Sequence, residues 1–154
     1  MALSWSTLHL PPLSAVSFGS VAEQAARGCL LVVEDDEDMR ALIRELVTGE
    51  PGLTVVGEAV TADEAVDLAT SLKPDLVVLD HFLFGDVRGI DVAAEIRLAS
   101  PGTRILVLSS HDLSIEVERE PAVDAFVWKR QISGFLPAVR RLLGLDPQTP
   151  ATRC

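Results

Sequence analysis

Two short apolar runs end in acids: Leu30-Leu31-Val32-Val33 in Glu34-Asp35-Asp36, and Leu76-Val77-Val78-Leu79 in Asp80. Four apolar residues between polar neighbours read as a strand buried on both faces. In an open parallel sheet, ligands sit outside the carboxyl ends of the strands, where the topology switches direction. Acids at two such ends face each other across one small crevice. Carboxylates crowded together repel, and a hard divalent cation relieves them. The pattern predicts a divalent-metal site with one carboxylate poised as a nucleophile. Either acid alone would read as a plain strand-end cap. Two further runs also end in chemistry, Ile105-Leu106-Val107-Leu108 in Ser109-Ser110 and Ala125-Phe126-Val127-Trp128 in Lys129. Acids, hydroxyls and a lysine at strand ends together point to a phosphate site.

The elements that must carry these residues alternate regularly from Cys29 onward. Strand one is read at 29–34. Helix one follows, with Met39, Leu42, Ile43, Leu46 and Val47 on one face, and ends at Pro51-Gly52. Strand two is Leu53 to Gly57. Thr61-Ala62-Asp63-Glu64 has the form of a capping box and opens helix two, which Lys73-Pro74 closes. Strand three is 75–79, and a loop from Gly85 to Gly89 leads into helix three. Strand four is 105–108, strand five 125–128, and a last helix ends at Leu142-Leu143 before Gly144. Only Asp112 to Pro121 separates strand four from the approach to strand five, so helix four is expected to be short or distorted. Five strands alternating with helices predict an α/β, doubly wound three-layer sandwich.

The 154 residues make one domain with a real core, and 48% are hydrophobic. A net charge of −10 argues against nucleic acid and against an anionic membrane surface as partners. Cys29 and Cys154 sit where no disulfide framework would place them, which implies a reducing compartment and a cytoplasmic protein. No apolar run reaches the length of a membrane span. Residues 1–28 read as a disordered tail, 29–144 as the domain and 145–154 as a polar tail.

With these positions placed, residues 29–143 resemble the receiver domains of two-component response regulators (CheY-like). The motifs that carry the resemblance are LLVVEDDEDMR, VVGEAVTADEAVDLATSLKPDLVVLD, RILVLSSHD and VDAFVWK, in that order. The resemblance implies a flavodoxin-like fold with a five-stranded parallel sheet in the order 2-1-3-4-5 and about five helices. It implies that Asp80 accepts a phosphoryl group from a histidine kinase or phosphotransfer protein. Asp35 and Asp80, the backbone carbonyl of Phe82, and Glu34 directly or through water, would hold Mg²⁺. Ser109 would meet the phosphoryl group, Lys129 would pair with one of its oxygens, and Phe126 would be the switch aromatic. The chain would then be a regulatory phosphoacceptor rather than an enzyme. It would have no DNA-binding output domain and would signal to a downstream protein by contact.

The chain departs from the family in three places. Phe84 stands where receivers usually have proline, in a loop that reads one residue longer. Arg130 replaces the proline after the lysine. A cis bond before a non-proline costs about 2.5–4 kcal/mol, so Lys129–Arg130 is expected to be trans. Phe126 lacks the hydroxyl of the commoner tyrosine. His81 and His111 are expected to be solvated loop residues, and Phe82 to shield the acyl phosphate. These departures, with the short fourth helix, leave a phosphorylation-independent interaction module as the alternative. A small enzyme on the same fold ranks last, because no GxGxxG loop, Walker loop or nucleophile elbow is present.

Overall fold

Strands β1 (Gly28–Val33), β2 (Leu53–Ala59), β3 (Leu76–Asp80), β6 (Arg104–Ser109) and β7 (Ala125–Trp128) form one parallel sheet in the order β2-β1-β3-β6-β7. The computed structural model describes residues 28–83 and 86–145. Of the tails read at 1–28 and 145–154, all but Gly28 and Leu145 lie outside the described residues, as does the Phe84-Gly85 pair; Gly28 instead opens β1 and Leu145 packs against the core. Strands β4 (Phe82–Leu83) and β5 (Val87–Arg88) form a separate antiparallel hairpin. Leaving the hairpin aside, the sheet has the expected 2-1-3-4-5 order. The helices are α1 (Glu37–Thr48), α2 (Ala62–Leu72), α3 (Gly89–Ala99), α4 (Ser114–Arg119) and α5 (Phe135–Leu142), with a 3₁₀ segment at Lys129–Gly134.

The strands alternate their side chains between two apolar layers. Leu31, Val33, Val77, Leu79, Ile105 and Val107 face α2 and α3 through Ala65, Ala69, Val92, Ala93 and Ile96. Leu30, Val32, Leu76, Val78, Leu106 and Leu108 face α1 and α5 through Ile43, Val47, Phe135 and Val139. A strand between two helical layers has no polar face, which explains the unbroken apolar runs. Among the described residues, no helix is long and apolar enough to cross a membrane.

Helix boundaries follow local chemistry. Asp36 caps α1 by accepting the Met39 N–H at 2.8 Å. Thr61 caps α2 by accepting the Glu64 N–H, and Glu64 reaches back to the Val60 N–H, one residue before the cap. Lys73 ends α2 in a left-handed conformation, and Pro74 cannot continue a helix.

Several sequence boundaries need correction. Strand two runs on to Ala59, because a bulge between Leu30 and Leu31 shifts its register and lets the pairing continue. Strand three is displaced one residue toward Asp80. The loop after Asp80 contains the hairpin, whose two-residue strands are too short to show a period. Leu42, which shares the apolar face of α1 in the sequence pattern with Ile43 and Val47, is 37% exposed. Lys129–Gly134 forms a 3₁₀ turn that sequence reading did not separate from the last helix. Helix α4 is short, as expected: it has six residues and none is buried.

Candidate functional site

The sheet changes direction between β1 and β3, and the reactive residues gather at the carboxyl end of that junction. Glu34 and Asp35 follow β1, Asp80 ends β3, Ser109 ends β6, and Lys129 follows β7. Glu34, Asp35 and Asp80 each offer a carboxylate oxygen within 4.8 Å of the others. Lys129 Nζ lies 2.7 Å from Glu34 Oε2 and 2.9 Å from Asp80 Oδ1. Glu34, Asp80 and Ser109 are buried and Asp35 is half-buried. Four of the strand-end residues singled out in the sequence thus meet in one place. Ser109 is held by the same sheet end, where its Oγ accepts the His111 N–H at 3.0 Å. Phe126 is partly buried on the α2–α3 side, with its ring edge-on to Trp128.

The backbone around the cluster is fixed by residues that sequence reading did not single out. Arg40 Nη1 donates to the Glu34 carbonyl at 2.8 Å. The Asp36 N–H donates to Glu34 Oε1 at 3.2 Å. Beyond Asp80, the His81 N–H donates to the Leu108 carbonyl and the Gly89 N–H to the His81 carbonyl. A Cβ on Gly89 would stand 2.3 Å from the Asp80 carbonyl oxygen, so only glycine fits where α3 starts against the strand end. A glycine opening a helix without a cap was the available signal. Arg130 is exposed, and its guanidinium lies over the Trp128 ring at 3.8 Å from the centroid. Among the described residues every peptide bond is trans, Lys129–Arg130 included, and Lys129 still reaches Asp80.

Burial raises the Glu34 carboxyl above the usual carboxylate range, helped by the Asp80 charge and opposed by Lys129. Burial also acts against the Lys129 ammonium. Its bonds to Glu34 and Asp80 outweigh that, and hold it above the usual lysine value. The cluster carries more carboxylates than cations, and its donors are all hard oxygens. That set fits Mg²⁺, which takes few protein ligands and keeps several waters.

His81 corrects the expectation of a solvated histidine. It is buried, with an Nδ1 that finds no hydrogen-bond partner, and burial holds it below the usual imidazole range. His111 is exposed, as expected. The half-exposed Phe82 ring packs edge-on to both, at 4.4 Å from His81 and 5.1 Å from His111. It thereby forms a wall beside the ends of β3 and β6.

Residues 30–130 match the family described as the response regulator receiver domain. The chain belongs to that family. This receiver is 32% identical over 116 residues to the chemotaxis protein CheY of Thermotoga maritima, covering 73% of this chain and 95% of CheY. It is 30% identical over 102 residues to the nitrate/nitrite response regulator protein NarL of Escherichia coli K12. That match covers 65% of the receiver chain and 47% of NarL, so the chain spans about half the length of that relative. A crystal structure of a LuxR-family two-component response regulator from Aurantimonas superposes on the receiver with a TM-score of 0.70 at 29% identity. That superposition covers 77% of this chain and 86% of the other.

Proposed function

We propose that this receiver accepts a phosphoryl group on Asp80 from a histidine kinase or phosphotransfer protein and signals by protein–protein contact. The observation that carries the reading is the Lys129 ammonium 2.9 Å from Asp80 Oδ1, in a cluster completed by Asp35 and Glu34. A free carboxylate oxygen of Asp80 attacks the phosphorus. The bond from phosphorus to the donor's imidazole nitrogen breaks, and the electron pair leaves with the imidazole. Charge spreads over the three oxygens of the transferring group. Ser109 and Lys129 lie at the ends of β6 and β7, on one side of the Asp80 strand, and would stabilise that charge. Asp35, Asp80 and the Phe82 carbonyl would hold Mg²⁺ directly, with Glu34 acting through water. When bound, the ion neutralises phosphoryl charge. Phe126 would move as Ser109 is drawn toward the new phosphoryl group. A net charge of −10 disfavours direct contact with nucleic acid or an anionic membrane.

The second reading, a phosphorylation-independent interaction module, draws support from α4. None of its six residues is fully buried and only Val117 packs against the core, so the surface beside β7 is loosely built. Intact mass of the protein incubated with Mg²⁺ and phosphoramidate separates the two readings. The phosphoacceptor reading predicts a gain of one phosphoryl group, lost with EDTA and in Asp80→Asn. No gain from that donor or from a panel of phosphorylated histidine kinases would leave the interaction module.

A further inference from the structure

We infer that Arg40 is a positioning residue for the acids read as metal ligands, because it fixes the backbone from which Glu34 and Asp35 hang. The inference rests on the Mg²⁺ reading of that cluster and adds to it a residue from outside the cluster. Strand β1 ends at Val33 and α1 starts at Glu37, so only Glu34, Asp35 and Asp36 link them. That link is pinned at both ends. The Glu34 N–H donates to the Ala59 carbonyl of β2 at 3.0 Å. The Glu34 carbonyl, already past the end of the strand, accepts from Arg40 Nη1 at 2.8 Å. At the other end, the Asp36 carboxylate caps α1. Asp35 sits between these two fixed points, and its carboxylate is aimed by them.

Arg40 is itself held from three sides. Nη1 goes to the Glu34 carbonyl, Nη2 donates to Glu37, and Nε lies 3.4 Å from Glu58 on the edge strand β2. Arg44 faces the same two carboxylates, with Nη1 2.6 Å from Glu58 and Nη2 3.7 Å from Glu37. The four side chains thus close a ring of alternating charge that bridges α1 and β2. Exposed ion pairs contribute little singly. The Arg40 side chain, however, is only 11% exposed, and each nitrogen of its planar fork has a different partner. The ring orients the guanidinium toward the Glu34 carbonyl. A lysine ammonium, a point charge, could not serve the carbonyl and both carboxylates at once.

The sign of one measurement separates positioning from charge. Removing a cation close to a cation site tightens Mg²⁺ binding by Coulomb's law, whereas losing the aim of the acids weakens it. In calorimetry on the full-length protein, Arg40→Met is expected to lower Mg²⁺ affinity by about tenfold. Arg40→Lys, which keeps the charge, is expected to fall between Arg40→Met and the parent. Amide exchange of the metal-free protein, followed by NMR, gives a second reading. Arg40→Met is expected to speed the Glu34 amide by about tenfold relative to the Val78 amide of β3, while a general loss of stability would speed both alike. An Arg40→Met affinity equal to the parent's or tighter would overturn the inference, as would Glu34 and Val78 amides that speed up together. If Arg40→Met does not fold, Arg40→Lys decides by the same two criteria. A parent that binds no Mg²⁺ sinks the metal reading alone and leaves Arg40 to the exchange comparison.

Discussion

Lys129 is asked to do at one strand end what two carboxylates at other strand ends require, and the 2.7 and 2.9 Å contacts show how closely it does so. Phe82 is the other residue with a local consequence. Its ring fills the space between His81 and His111, beside the carboxyl that would carry the phosphoryl group. An apolar wall keeps attacking water away from an acyl phosphate. Phe82→Ala is expected to shorten the lifetime of the phosphorylated protein several-fold, followed as loss of the added mass after the donor is removed. An unchanged lifetime would show that the ring shields nothing. At this scale the sequence was informative where chemistry coincided with a strand end. Glu34, Asp35, Asp80, Ser109 and Lys129 all follow apolar runs, and a run announces its own end. Burial of His81 was not legible, because it depends on the Phe82 ring and the start of α3 packing against a residue that locally looks like the start of a loop. The Arg130–Trp128 stack was hidden for a similar reason: a charged residue after a strand gives no sign of lying back on the strand's own aromatic.

Elements decide how firmly the site is held. Helix α3 starts so close to the end of β3 that Gly89 has no room for a side chain. Gly89→Ala is expected to destabilise the fold by roughly 1–3 kcal/mol, as overpacking does, and to slow phosphorylation by pushing on Asp80. Urea denaturation with an unchanged midpoint would contradict that contact. Helix α4 lies at the other extreme. It has no buried residue and no side-chain cap, so little holds it down. Its amides are expected to exchange with deuterium fastest among the helices, well ahead of α1, which buries Ile43 and Val47. Protection of α4 equal to that of α1 would mean that it is anchored by something else. The weakness of α4 was readable from Pro121 and the β-branched Ile115 and Val117. The extension of β2 to Ala59 was not, because it follows from a bulge that only the pairing with β1 reveals.

The whole molecule places apolar layers on both faces of a parallel sheet and leaves its chemistry at one edge of that sandwich. The ends of β1, β3, β6 and β7 are brought together by strand order alone, since residues from 34 to 129 share one site. Alternating strands and helices made that architecture predictable, because few topologies satisfy short right-handed crossovers between parallel strands. We propose that this arrangement serves phosphorylation of Asp80. Borohydride reduction of the protein after incubation with Mg²⁺ and phosphoramidate or a phosphorylated kinase tests it most directly, because reduction converts an aspartyl phosphate to homoserine. Peptide mass spectrometry should find the conversion at Asp80, and no conversion when EDTA is present. Conversion at any other aspartate, or at none with either donor, would contradict the account.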